Sequence, residues 1–183
     1  KQGFAFSSGM AAIHSLLCLF SPGDEISVSA DLYGGTYRLF EQIWKTYGIK
    51  FNYCHTYEDF AESITENTKA FFIETPTNPL MQEMDIKEIA QLTQSNNLLL
   101  LVDNTFYTPI LQRPIEQGAD IVVHSATKYL AGHNDVLAGL IVSKSKEVGA
   151  RLEEYQNATG AVLPPFDSWL VMRGMKTLSL RMR

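Results

Sequence analysis

The sequence predicts an α/β fold, a mostly parallel sheet with helices on both faces, and three observations carry that prediction. Short apolar runs of strand length alternate with amphipathic stretches of helical spacing along most of the chain. The clearest run, Leu98–Val102, is apolar without a break, as a strand covered on both faces must be. Polar groups follow directly on such runs: Glu74, Asp103, and Ser125 to Lys128. Open α/β sheets bind their ligands beyond the carboxyl ends of the strands, where those residues fall.

The elements follow in order. A strand-like Phe4-Ala5-Phe6 opens the chain, and Met10–Phe20, flanked by Gly9 and by Ser-Pro-Gly, predicts a helix that stops at Pro22. Glu25–Ser29 reads as a short strand before the turn-rich DLYGGT. Tyr37–Tyr47 has apolar residues at helical spacing and ends at Gly48. Ile49–Tyr53 is strand-like and Glu58–Ile64 a short helix. Ala70–Ile73 is a strand ending at Glu74, followed by the Pro-rich TPTNP. Asp85–Ser95 is a helix with Asp85 as its N-cap. The strands Leu98–Val102, Ile121–Val123 and Leu137–Val142 come next, then helices at Lys146–Gln156 and from about Phe166. There is no internal repeat or linker-like tract, so residues 1–183 are expected to form one domain. The chain starts on a non-Met residue beside a strand and ends within a helical pattern, which predicts a piece of a longer protein.

Composition narrows the function. With 45% apolar and 11% aromatic residues, the 183-residue chain has the material for one sizeable core. Its 15 basic and 20 acidic residues give a net charge of −5, which offers no basic surface for nucleic acid. No apolar run approaches membrane-spanning length. Cys18 and Cys54 lie in regular segments, so reduced thiols in a cytoplasmic protein are expected. His133 and Asp135 have no third partner at metal-like spacing, and no G-x-S-x-G turn offers a serine nucleophile.

Each polar residue at the strand ends has two readings. Asp103 follows four leucines and a valine. It either caps the next turn or holds a protonated ring nitrogen, as the pyridinium of pyridoxal phosphate requires. Lys128 is either a surface lysine or, desolvated behind a buried strand, a nucleophile toward an aldehyde. Ser125 and Thr127 face one side if the backbone is extended, and two such hydroxyls suit a phosphate; they are equally ordinary loop residues. Ser7-Ser8-Gly9-Met10 is either a helix cap or an anion-binding turn with free N–H groups. Tyr33 either stacks on a flat ligand or packs on the surface.

In that order and spacing, DLYGGT, ETPTNP, VDNTF and GADIVVHSATKYLAGHND resemble the Cys/Met-metabolism family of pyridoxal-phosphate-dependent transsulfuration enzymes, across the whole chain. The finer pattern of DLYGGTYRLFE, ETPTNPLMQE, DNTFYTP and LPPFDSWLVMRGMKTLSLRMR is most similar to the bacterial cystathionine γ-synthase/O-acetylhomoserine thiolyase group. The resemblance implies an aspartate-aminotransferase-like (fold type I) large domain over residues 1–183. It also implies an N-terminal segment with a phosphate-reaching tyrosine–arginine pair before Lys1, and a small domain with the substrate-carboxylate arginine beyond Arg183. The implied assembly is a homotetramer of active dimers acting on small amino acids, with no nucleic-acid or membrane partner.

Residue by residue, the resemblance makes Lys128 the lysine that holds the cofactor aldehyde and later moves protons. Asp103 becomes the partner of the ring nitrogen. Tyr33 stacks on the ring and assists proton transfer at the leaving group. Gly9 and Met10 offer N–H groups to the phosphate, and Ser125 and Thr127 offer hydroxyls. Asn78 contacts the ring oxygen or the substrate, and Thr105 completes the cofactor-binding set. The implied reaction is γ-replacement of the acyl group of an O-acyl-homoserine by cysteine or sulfide; the alternative is a cystathionine β- or γ-lyase. Gly35 stands where methionine γ-lyases resembling this family carry cysteine, which argues against that activity.

Overall fold

The computed structural model describes all residues, Lys1–Arg183. Strand β1 (Gln2–Phe6) leads into helix α1 (Gly9–Ser15), whose N-cap Ser8 accepts the Ala11 N–H on its hydroxyl at 3.0 Å. A tighter turn of helix at Leu16–Leu19 precedes β2 (Glu25–Ser29), α2 (Gly34–Gln42), a second such turn at Trp44–Tyr47, and β3 (Lys50–Cys54). The middle of the chain forms α3 (Tyr57–Glu62), β4 (Thr68–Glu74), α4 (Ile86–Ser95) and β5 (Leu99–Asp103). The short α5 (Thr108–Leu111) and β6 (Ile121–Ser125) follow, then β7 (Gly139–Ser143), α6 (Lys146–Thr159), α7 (Pro165–Met175) and α8 (Leu178–Arg181). No helix is long and apolar enough to cross a membrane.

The seven strands form one sheet in the order β1-β7-β6-β5-β4-β2-β3. Only β7 runs against its neighbours, β1 and β6; the remaining pairs are parallel. Six strands therefore end at the same edge, as the predicted mostly parallel sheet requires. The unbroken apolar runs are explained by the layers. Phe72, Leu101 and Val123 pack on one face with Ala12 and Ile13 of α1, Phe40 of α2 and Leu152 of α6. Phe71, Ile73, Leu100, Val102 and Val122 pack on the other with Phe60 of α3 and Ile89 of α4. Each fully buried leucine or phenylalanine contributes about 1.5–3 kcal/mol, so these two layers hold the sheet.

Local chemistry sets the helix starts. Asp85 accepts the Lys87 and Glu88 N–H groups, as its predicted N-cap role demands. Thr56 and Asp59 form a reciprocal capping box at α3. Two predicted helices are shorter than their apolar patterns: α1 tightens after Ser15, and α2 starts earlier, at Gly34, and breaks at Ile43. Segments as short as α5 show no period that a sequence pattern can register.

Two histidines are held neutral. The Trp44 indole N–H donates to His14 Nδ1 at 3.1 Å, and burial lowers the His14 pKa. His124, only 6% exposed on β6, is pushed down to about 4 by burial. Unfolded histidine takes its proton near pH 6.5, so below that value the unfolded chain binds protons that native His124 refuses. Its contribution to stability is complete above that value and is lost as the pH falls toward 4. Relative to a His124→Gln variant, the wild-type unfolding free energy from urea titrations should drop by an additional ~1–3 kcal/mol between pH 7 and pH 4. Parallel pH profiles for the two proteins would contradict this assignment.

Candidate active site

The parallel ends of β4, β5 and β6 lie side by side, with Glu74 in register with Asp103. A cavity of about 260 Å³ opens over them. All of the residues to which the family resemblance gives a cofactor or catalytic role line it: Gly9, Met10, Tyr33, Asn78, Asp103, Thr105, Ser125, Thr127 and Lys128. Ser8, Ile13, Glu74, Pro76, Phe106 and Leu137 complete the lining. The apolar members of this second group carry no chemical signal in a sequence. Glu74 does carry one, since it follows a buried strand just as Asp103 does.

Asp103 is 7% exposed. Its Oδ1 accepts the Thr105 N–H at 3.1 Å and the Thr105 hydroxyl at 2.6 Å. The Thr105 oxygen accepts the Ser125 N–H at 2.8 Å, so one hydroxyl joins the ends of β5 and β6. That N–H occupies a lone pair on Thr105 and leaves its proton for the carboxylate. No donor of the chain reaches Oδ2. Burial raises the Asp103 pKa, and the two Thr105 bonds oppose that rise. Glu74 is pushed up to about 8 by burial and by the neighbouring Asp103 charge, against the N–H groups of Tyr33 and Asn78 that it accepts.

Across the cavity, the N–H groups of Gly9 and Met10 at the start of α1 have no partner within the chain. Gly9 is required there: a Cβ would lie 2.8 Å from Ser125 Cβ and 3.1 Å from its Cα. The missing side chain lets the first turn of α1 rest against the end of β6. The Ser125 hydroxyl has no protein partner either. Thr127 differs. Its hydroxyl donates to the Ala138 carbonyl at 3.2 Å and accepts the Ala138 N–H at 3.0 Å, so its proton is already engaged.

The backbone from Ser125 to Thr127 is not extended, which was the condition for both hydroxyls to face one side. Strand β6 stops at Ser125, and the Lys128 N–H bonds back to the Ser125 carbonyl at 3.1 Å, closing a turn. That turn lifts Lys128 to the open side of the cavity, where it is exposed. A buried strand therefore delivers the lysine without desolvating it. Tyr33 is half exposed at the N-terminus of α2. A Cβ on Gly35 would collide with the Tyr33 ring and approach Met10 Sδ to 3.1 Å, so the bare Gly35 lets the ring lie back toward Met10. His133 and Asp135 are engaged elsewhere, His133 with the Ala131 carbonyl at 2.7 Å and Asp135 with the Arg173 guanidinium. No cluster of three potential metal ligands occurs.

The model of the Cys/Met metabolism PLP-dependent enzyme family matches residues 1–183. The chain is 65% identical over 188 residues to the cystathionine γ-synthase/O-acetylhomoserine (thiol)-lyase of Bacillus subtilis (strain 168), covering 100% of this chain and 49% of that protein. It is 54% identical to the cystathionine β-lyase of Lactococcus lactis subsp. cremoris (strain MG1363), covering 99% and 48%. The crystal structure of cystathionine γ-lyase from Lactobacillus plantarum complexed with L-serine superposes with a TM-score of 0.96 at 48% identity, over 98% of this chain and 48% of that one. The chain thus spans about half the length of the curated relatives it matches.

Pyridoxal phosphate is the cofactor of this family. The donor set suits it: unpartnered N–H groups and a free hydroxyl for a phosphate, an unpartnered carboxylate oxygen for a ring N–H, and an amine for an aldehyde. Gly9→Ala, which forces α1 or Ser125 to shift, should weaken retention of pyridoxal phosphate roughly tenfold or more, about 1.4 kcal/mol. An absorbance-monitored titration checks this, and an unchanged dissociation constant would remove Gly9 from the site. In family model, in relatives and in fold, the chain belongs to the Cys/Met-metabolism family of pyridoxal-phosphate-dependent enzymes.

Proposed function

We propose that residues 1–183 are the cofactor-binding large domain of a cytoplasmic enzyme that joins an O-acyl-homoserine to cysteine or sulfide, giving cystathionine or homocysteine. The observation that carries the cofactor site is the meeting of Lys128, Asp103 and the unpartnered N–H groups of Gly9 and Met10 on one cavity. Higher identity to the relative named as a synthase, 65% against 54% for the β-lyase, favours replacement over cleavage.

In this proposal Asp103 Oδ2 accepts the ring N–H while Thr105 holds Oδ1, so the anion stays aimed. Gly9, Met10 and Ser125 hold the phosphate; Thr127 joins them by releasing the Ala138 carbonyl. Bound there, pyridoxal phosphate supplies an electron sink for carbanions beside the amino group. Lys128 would hold the aldehyde carbon until the substrate's amino group displaces it, and its freed amine would carry protons between Cα and Cβ of the substrate. Tyr33 covers the ring and delivers a proton to the leaving group, and Asn78 contacts the ring oxygen or the substrate. Assembly into a homotetramer of active dimers is part of the same proposal. The apolar stripe of Phe166, Trp169 and Met172 along α7, each more than half exposed, supports it.

Cystathionine β- or γ-lyase is the second reading, favoured by the lyase names of two of the relatives. Purified full-length protein should turn O-acetylhomoserine plus cysteine into cystathionine. Pyruvate or 2-oxobutyrate released from cystathionine alone, without that synthesis, identifies the lyase instead. In the same preparation, the visible absorption band that appears with pyridoxal phosphate should vanish in Lys128→Ala. A band that survives the substitution displaces Lys128 from its role.

A further inference from the structure

Glu74 has no role in the chemistry above, yet it is among the most constrained side chains in the cavity. It ends β4, is 6% exposed, and uses both carboxylate oxygens on backbone donors from two different loops. Oε2 accepts the Tyr33 N–H at 2.9 Å, across 41 residues of sequence, and Oε1 accepts the Asn78 N–H at 2.9 Å. Neither amide has another acceptor. Tyr33 starts α2 without a side-chain cap, so Glu74 is what satisfies its N–H. A second tie joins the same two loops, from the Leu80 N–H to Asp31 Oδ2 at 3.3 Å, but it lies on the exposed side. The start of the loop after β4 is tied to the end of β5, through the Thr75 N–H to the Asp103 carbonyl at 3.1 Å and the Asn104 side-chain amide N–H to the Thr75 carbonyl at 2.8 Å. Beyond Thr75 the loop is bound to itself, through the Thr77 N–H to the Gln82 carbonyl at 2.9 Å and the Gln82 N–H to the Thr77 hydroxyl at 2.9 Å. It hangs on the sheet edge as a unit.

We propose that Glu74 is a positioning residue: its two oxygens fasten the Tyr33 turn and the Asn78 turn to the end of β4, setting both side chains over the cavity as one clamp. A carboxyl group can accept on both of its oxygens, as Glu74 does here. An amide keeps one acceptor and turns an N–H₂ toward the other backbone N–H. An aspartate keeps both acceptor oxygens and loses the methylene that reaches both loops. Burial and the register neighbour Asp103 raise the Glu74 pKa, and the two backbone N–H groups oppose that rise.

What Tyr33 and Asn78 do to a substrate rests on the proposed function; that they are clamped does not, and the experiment separates the two. Hydrogen exchange is measured on full-length protein without cofactor, for wild type, Glu74→Gln and Glu74→Asp, reading the Tyr33 and Asn78 amides. At least one of the two should exchange tenfold faster or more in each variant, while the Ile73 and Val102 amides of β4 and β5 keep their wild-type rates. Wild-type rates at both loop amides, or equal acceleration of Ile73 and Val102, would overturn the clamp. In protein loaded with pyridoxal phosphate, Glu74→Gln should keep the visible band, since Lys128, Asp103 and Gly9 are untouched, and raise KM for the amino-acid substrate tenfold or more. An unchanged KM beside accelerated loop amides upholds the clamp and counts against the substrate role of Tyr33 and Asn78. Absence of the band in wild type sinks the cofactor reading and leaves the exchange result to decide the clamp by itself.

Discussion

Two carboxylates held side by side in a buried strand edge are the constraint around which this site is arranged. Parallel strands in register place Glu74 and Asp103 at adjacent ends of β4 and β5, with both largely out of water. At strand spacing, about 5 Å, two full negative charges would repel by roughly 3 kcal/mol at an effective dielectric of 20, and burial together with that repulsion pushes the Glu74 pKa up to about 8. The structure meets that cost locally. Glu74 is wrapped by two backbone N–H groups, and Asp103 takes the N–H and hydroxyl of Thr105 on one oxygen. The second oxygen of Asp103 remains for a cation in the cavity. Loops, turns and helix starts around the site are placed by those few bonds.

Much of this was legible in the sequence because burial and chemistry coincide there. The run of four leucines and a valine before Asp103 has no use on a surface, so a strand buried on both faces and a desolvated carboxylate follow from one pattern. Parallel strands then bring Asp103 and Ser125 to one edge without any knowledge of the loops. Gly9 reads in the sequence as a glycine that lets the backbone approach an anion, and the structure adds a second reason for it, since its missing Cβ lets the first turn of α1 rest against Ser125.

What the sequence left out depends on loop geometry that no periodicity encodes. Lys128 reads either as a surface lysine or as one desolvated behind Ile121–Val123, and a single turn after Ser125 decides for exposure. Thr127 reads as a twin of Ser125, yet the start of β7 passes beside it and takes its hydroxyl proton through Ala138. Its partner lies 11 residues on, across the antiparallel return. Glu74 was visible as a polar strand end, but its two acceptor bonds depend on where the Tyr33 and Asn78 turns happen to meet. Sequence patterns report which groups are costly to bury; they do not report which neighbour relieves the cost.

Sorting the cavity's polar groups by whether they already have partners separates scaffold from site. Both Glu74 oxygens, the Thr105 and Thr127 hydroxyls, Asp103 Oδ1 and the Ser8 hydroxyl are engaged within the chain. The unengaged set is smaller and ordered in space: donors at the start of α1 and on Ser125, one carboxylate oxygen at the end of β5, and an amine after β6. A ligand with an anionic group at one end and a protonated ring nitrogen at the other meets complementary charge, and of the engaged groups only the Thr127 hydroxyl has to exchange its partner. An exposed Lys128 fits this division, because a covalent partner must leave the cavity mouth open until its ligand has entered. The engaged groups hold the geometry still, and the unengaged ones are the part of the molecule left for chemistry.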